Sequence, residues 1–248
     1  MRLLVQLCPV TSGFRTPVHY NHLVQGLIYS SLNRGMAEFI HNRGFPYGAR
    51  VFRLFTFSRL IGPFKRDGDQ LVFLGPIHLW VSSPIQPIIE ELACTWLHLG
   101  ALQLGEDRLA VEAVDLEPTP DIGTSVVVRT LSPVTAYETL YAADGRAKTY
   151  YYAPTEHEFG QLCAANARRK LLALGGQVDE SALLTVAPAG WQRHRQVIIN
   201  YKGTVIKAWH GAFRLSGQPE LLRAVIDAGL GSKNAQGFGM VEIWEGAR

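Results

Sequence analysis

Histidine and arginine carry the reactive chemistry open to this chain. Of its eight histidines, His41 stands apart: it follows a helical segment, lies in a polar loop, and has Arg34, Arg43 and Arg50 near it in sequence. Imidazole exchanges protons near neutral pH. Guanidinium forks grip phosphate oxygens in pairs. Tyr29 precedes His41 near the end of the same helix. It could bond a phosphate, position His41, or pack in the core. The plainer reading of His41 is a surface or capping residue. His19 and His22 stand at the helix start, where the positive end of the macrodipole disfavours imidazolium, so they suit phosphate binding as neutral donors. His194 and His210 read as binding or structural residues.

Metal chemistry has little to work with. There is no HxxxH or HExxH pattern, and Glu156, His157 and Glu158 are adjacent, so on a helix they fan apart. No metal and no cofactor is expected. Metal-free cleavage of RNA needs little equipment, because the 2′-hydroxyl is already the nucleophile. The protein must take its proton, return one to the leaving 5′-oxygen, and stabilise charge on the phosphorus.

Charge is segregated along the chain. Between Arg34 and Arg66 there are seven basic residues (Arg34, Arg43, Arg50, Arg53, Arg59, Lys65 and Arg66) and one acid, Glu38. Between Ser181 and Pro219, Arg193, Arg195, Lys202, Lys207 and Arg214 occur with no acid. Residues 90–121 hold eight acids and one arginine, Arg108. A net charge of only +3 can therefore hide a basic face, and such a face captures polyanions. The plainer alternative is a solvated surface with ordinary ion pairs. The 18 arginines against 6 lysines fit either phosphate recognition or a GC-rich genome.

The elements that must hold these residues follow from periodicity. With 47% hydrophobic residues and 25 aromatics the chain is not disordered. Cys8, Cys94 and Cys163 are isolated and predict reduced thiols, not a disulfide framework or zinc site. The opening run is broken by Gln6 and reads as a strand instead of a signal peptide, and no apolar stretch is long enough to span a membrane. A cytoplasmic protein is expected.

Strands are predicted at residues 2–9, 50–61, 70–81 and 108–117, with helices from Tyr20 to about Met36 and from Pro84 to Leu99. Asn21 is the expected cap of the first helix and Gly35 its end. The order β-α-β-β-α-β is the ferredoxin-like unit. A Pro-rich link near residue 120 precedes a similar second order: strands 124–131 and 147–153, a helix over 156–174, a hairpin from 191–200 and 202–213, a helix over 219–228 and a strand over 238–244. The chain is thus α+β, with two tandem ferredoxin-like domains, 1–120 holding the candidate catalytic histidine and 121–248 a glycine-rich loop. Phe55 and Phe57 are core residues or, less expectedly, base-stacking ones.

That loop reads GLGSKNAQGFG over residues 229–239. Gly229, Gly231, Gly237 and Gly239 permit close backbone approach, successive amides could form a phosphate nest, and Lys233 adds charge. It matches neither a Walker A loop nor a dinucleotide fingerprint, since it follows a helix instead of a first strand. The alternative is a turn with a bulge.

Together, FIHNRGF at 39–45 after the Tyr29 helix, RVFRLFTFSRL at 50–60, TLSPV at 130–134 and the glycine-rich segment resemble the Cas6 family of CRISPR endoribonucleases, within the RAMP superfamily. The resemblance spans essentially the whole chain. It implies two ferredoxin-like domains that bind the repeat of precursor CRISPR RNA. It also implies one metal-independent cut per repeat, leaving a 2′,3′-cyclic phosphate and a 5′-hydroxyl. By the same resemblance His41 is the catalytic histidine, as general base or general acid, and Tyr29 assists. The catalytic lysine of some members has no counterpart between His41 and Lys65, so Arg50 or Arg53 would stabilise the phosphorane. Arg34, Arg43, Arg193, Arg195, Lys202, Lys207 and Lys233, with Gly229, Gly231, Gly237, Phe238 and Gly239, would bind RNA or shape the groove. A homodimer and CRISPR effector subunits stay open as partners. The alternatives are a non-catalytic RNA-binding subunit of an effector complex, or a structural protein with another anionic partner.

Overall fold

A computed structural model describes residues 1–141, 144–178, 183–190 and 194–244. Its first half is a sheet backed by two helices. β1 (Arg2–Pro9), α1 (Asn21–Ser30), β2 (Thr56–Phe57), β3 (Ile77–Ser82), α2 (Gln86–Leu99) and β4 (Asp107–Glu117) follow in that order, and the strands lie β2-β3-β1-β4, all antiparallel. A short strand, Ala101–Leu104, extends the β4 edge. Alternation in β1 sends Leu3, Val5 and Leu7 inward, as a half-buried strand requires. Val24, Leu27 and Ile28 of α1 and Ile88, Ile89, Leu92 and Trp96 of α2 cover that face. The Trp96 indole also donates to Ser31 Oγ at 2.7 Å, so its one polar atom is satisfied.

The second half repeats the plan. β5 (Ser125–Thr130), α3 (His157–Ala173), β6 (Thr185–Pro188), β7 (Ala212–Ser216), α4 (Pro219–Ala228) and β8 (Val241–Ile243) give the order β6-β7-β5-β8. Its own core gathers Phe159, Cys163, Phe213, Leu222 and Val225. Two tandem ferredoxin-like units are therefore present, with the same strand order in each.

Several sequence expectations shift. The strand predicted over 50–61 is two pieces: Arg50–Phe52 pairs with Phe45–Tyr47 as a separate hairpin, and Thr56–Phe57 joins the sheet, followed by an isolated bridge from Ile61 to His78. Between the two pieces Leu54 takes φ 52°, a conformation few side chains adopt. The strand over 70–81 likewise divides, Gln70–Phe73 pairing with Phe14–Pro17 and Phe64–Asp67 outside the main sheet. The hairpin from Arg195–Tyr201 and Thr204–His210 is an insertion and not part of the second sheet. The strand that does occupy that place, Thr185–Pro188, was not anticipated. The first helix stops at Ser30, and a second short helix runs Arg34–Glu38, so Gly35 ends nothing. Asn21 does not cap it, since Tyr20 precedes the helix and makes no side-chain cap bond. No helix among the described residues is long and apolar enough to cross a membrane.

Candidate active site

His41 is presented by a single turn of π-helix, Phe39–Arg43. Such turns recur at functional sites because they displace side chains from the helical row. Buried Ile40 anchors the turn, and Gly44 closes it at φ 58°, its amide donating to Phe39 O at 2.7 Å. Gly44 is required: a Cβ there would stand 2.5 Å from Phe52 O and 2.7 Å from the Arg53 guanidinium. The His41 side chain is exposed. Its Nδ1 lies 2.9 Å from Asn42 Oδ1. A carbonyl oxygen only accepts, so Nδ1 donates and the neutral ring leaves Nε2 free as a base.

Tyr29, from the last turn of α1, meets the His41 ring edge to face, the centroids 5.6 Å apart at 77°. Phe55 braces its other side at 5.6 Å and 82°. Burial raises the pKa of the Tyr29 phenol, opposed by the charge of Arg53, so it is a hydrogen-bond donor at neutral pH. The Arg53 guanidinium also hydrogen-bonds the Tyr29 phenol, while its Nη1 is buried with no partner.

These residues share one groove of about 660 Å³ between the two halves. Tyr29, His41, Arg50 and Arg53 line it from the first half, and Asn166, Lys170, Ser232, Lys233 and Gln236 from the second. The Lys233 ammonium rests 4.9 Å from the centre of the Tyr137 ring. The structure thus gathers His41, Tyr29, Arg50, Arg53 and Lys233.

The other candidates lie elsewhere. Arg34 is exposed and pairs with Glu38 at 2.7 Å one turn on. Arg43, Lys202 and Lys207 are exposed outside the groove. Arg195 lines a second groove of about 530 Å³ with Arg59, Arg66, His19 and His210. There burial, helped by Arg195 and Arg59, lowers the His210 pKa to about 4. Arg193 falls outside the described residues.

The glycine-rich segment lies between the halves. Gly229, Gly231, Gly237, Phe238 and Gly239 are buried, and five of the segment's backbone amides are used within the protein. Those of Leu230, Ser232, Gln236, Gly237 and Gly239 donate to carbonyls of Gly239, Thr135, Lys233, Asn234 and Pro133. The segment also clamps the halves. Asn21 Nδ2 donates to Gln236 O at 2.8 Å and Gly237 O at 3.2 Å, Gln25 Nε2 to Ala235 O at 2.6 Å, and Thr56 Oγ1 to Phe238 O at 3.1 Å. Arg59 in turn donates to Asn21 Oδ1. Gly237 packs so closely on Phe57 that a Cβ would fall 2.4 Å from the ring. Phe55 and Phe57 are core residues, with no face left for a base.

Lys170 and Asn166 escaped the sequence analysis. Lys170 is fully enclosed in α3, its Nζ donating to Gly229 O at 2.5 Å and Gly231 O at 3.2 Å, and burial lowers its pKa to about 7. The available signal is a polar pair at i and i+4 that interrupts the core row of Phe159, Cys163 and Ala167.

A family model for "CRISPR associated protein Cas6, C-terminal" matches residues 117–243, more than half of the chain. The chain belongs to the Cas6 family. Among curated Cas6 proteins, the CRISPR-associated endoribonuclease Cas6 of Pyrococcus furiosus is 28% identical, over 98% of this chain and 90% of that protein. A second, CRISPR-associated endoribonuclease Cas6 1 of Methanocaldococcus jannaschii, is 26% identical over 97% and 92%. A solved structure described as a Cas6-related protein from Pyrococcus furiosus superposes with a TM-score of 0.84 at 20% identity, covering 99% of both chains. Its likeness concerns the Cas6 fold.

Proposed function

We propose that this chain matures CRISPR RNA by cutting each repeat once, without a metal ion, to leave a 2′,3′-cyclic phosphate and a 5′-hydroxyl. The observation that carries the reading is the unpaired, buried Arg53 Nη1 in one groove with an exposed imidazole. A guanidinium nitrogen left unused beside a Tyr29-bound one suits an anion that arrives with the substrate. Relatives along nearly the whole chain are named CRISPR-associated endoribonucleases, which supports the RNA-cleaving reading.

His41 Nε2 accepts the 2′-hydroxyl proton as the O2′–P bond forms, and gives it to O5′ as the P–O5′ bond breaks. One imidazole thus begins and ends neutral. Arg53 and Arg50 hold the charge that builds on the equatorial phosphate oxygens, which arginine does well although it is a poor proton donor. Tyr29 keeps the His41 ring in place and donates a hydrogen bond. Lys233 draws the backbone in from the opposite wall.

The test is repeat RNA incubated with the protein in excess EDTA. Cleavage should persist, vanish in His41→Ala, and fail on RNA with a 2′-deoxy at the scissile nucleotide. Tight binding of RNA that is never cut would point to a non-catalytic subunit. Cleavage of the deoxy substrate would rule out attack by the 2′-hydroxyl.

A further inference from the structure

Arg53 Nη1 is not alone in lacking a partner. Asn166 Oδ1 and Gln236 Oε1 are also buried without hydrogen bonds, and both residues line the same groove. Buried amide oxygens are nearly always paired, so two orphans in one cleft point to donors that arrive with a ligand. Their chemistry differs from that of Arg53. A phosphate offers only acceptors and suits the guanidinium, but it cannot satisfy a carbonyl oxygen.

The protein does not supply the donors either. Lys170, one turn beyond Asn166, spends its ammonium on Gly229 O and Gly231 O. The Asn234 amide is committed to Leu230 O and Phe238 O. Asn166 is only 4% exposed, and the Gln236 backbone is pinned by Asn21, so both oxygens belong to rigid elements.

RNA brings several donors beside a phosphate: the ribose 2′-hydroxyl, the ring N–H of uracil and guanine, and the exocyclic amines of adenine, cytosine and guanine, of which only an amine offers two N–H from one nitrogen to two acceptors. An unpaired base can present that amine. The groove, at about 660 Å³, holds more than a phosphodiester, and Phe52 lines it as aromatic surface for a base face.

We propose that Asn166 and Gln236 are specificity-determining residues that accept the exocyclic amino group of an unpaired nucleobase next to the scissile phosphate. This rests on the RNA-cleaving reading of the groove. Arg53 fixes the phosphate, and the two amide oxygens select which nucleotide stands beside it.

The test uses single-stranded repeat RNAs in which each base flanking the cut loses its amino group in turn: purine for adenine, 2-pyrimidinone for cytosine, hypoxanthine for guanine. Cleavage is followed as kcat/KM. Binding is followed on the same RNAs made uncleavable by a 2′-deoxy at the scissile nucleotide. At one position the missing amine should lower wild-type kcat/KM about tenfold or more. Asn166→Leu and Gln236→Met should shrink that discrimination to about twofold, with thermal midpoints unchanged or raised because an unpaired oxygen has gone. If Asn166→Leu fails to fold, Gln236→Met carries the test, since the backbone bonds of residue 236 do not use its side chain.

Indifference of the wild type to every amine overturns the proposal, as do variants that discriminate like the wild type or a repeat with only uracil around its cut. Amine-selective binding without cleavage would overturn the catalytic reading and leave this one standing. Efficient cleavage that ignores the amines would do the reverse. Absence of RNA binding would overturn both.

Discussion

The ring of Tyr29 stands edge-on to the ring of His41, 5.6 Å between centres, with the short helix Arg34–Glu38 between them in the chain. The contact explains how an exposed histidine keeps one orientation. If His41 moves the proton, His41→Ala should lower the single-turnover cleavage rate by about 100-fold or more. Tyr29→Phe keeps the edge contact and loses only the hydroxyl, so about tenfold is expected, with unchanged stability by thermal denaturation. An equal, complete loss in both would assign Tyr29 a direct part in proton transfer.

Arg53 predicts opposite effects on activity and stability. Its Nη1 is buried and unpaired, a state that costs on the order of 1–3 kcal/mol. Arg53→Met should raise the urea midpoint or leave it unchanged, while cleavage falls by roughly 100-fold. A variant that is both destabilised and inactive would mean that the guanidinium braces the fold.

Lys170 predicts a pH dependence of stability. Its folded pKa is about 7, whereas an unfolded lysine keeps its proton to about 10.4. Between those values the unfolded chain binds a proton that the folded chain lacks, so this residue makes stability rise with pH. Cys163, pushed up to about 12 by burial, works the other way, but only above the ordinary thiol range near ~8.5. From pH 7 to about 8.5, wild type should gain on the order of 1 kcal/mol relative to Lys170→Met in urea titrations. A flat difference would show that the amine does not change its charge on folding.

His210 sets the acid limb. Its folded pKa is about 4, below the ordinary value of 6.5. The unfolded state therefore takes up the proton first, and stability is lost as pH falls from about 6.5 towards 4. The hydroxyl of Thr130 accepts from the Gly211 amide at 3.1 Å and lies within hydrogen-bond distance of His210 Nδ1, also at 3.1 Å. His210→Gln should flatten this limb by roughly 1–3 kcal/mol between those pH values, measured as the difference in unfolding free energy.

Gly237 takes φ 82° against the Phe57 ring. Gly237→Ala should cost on the order of 2 kcal/mol or more, from the clash and the left-handed backbone together. It should lower the thermal midpoint and loosen the groove. Gly145, also at positive φ but with open space around it, serves as the control and should lose less.

The first ferredoxin-like order and the helices of the second were legible because β1, α2, α3 and α4 carry clean periodicity, and that signal survives wherever one face is buried. Leu54 was not legible. Its positive φ is imposed by tertiary packing, with its carbonyl accepting from Ser83 Oγ at 2.8 Å, so an alternating run read as one strand. Thr185–Pro188 is four residues long and ends in proline, too short to register. At the groove, His41 and Tyr29 were found through residue type and position, which are local properties, and Arg53 through the family resemblance. In the glycine-rich segment, glycine signals close approach without saying to what; at Gly237 and Gly231 the neighbours are Phe57 and Thr135 of the protein itself. Lys170 and Asn166 were hidden by an otherwise ordinary helix.

The bonds from Asn21, Gln25 and Thr56 to carbonyls of residues 235–238 bear on biosynthesis. A ribosome delivers the histidine, its tyrosine and both arginines long before it delivers the opposite wall. Until residues 235–238 have emerged, a nascent chain can fold its leading sheet and yet present only an open ledge. The groove is completed only when that segment docks, so a product truncated before it would carry the reactive side chains without the enclosure that directs them.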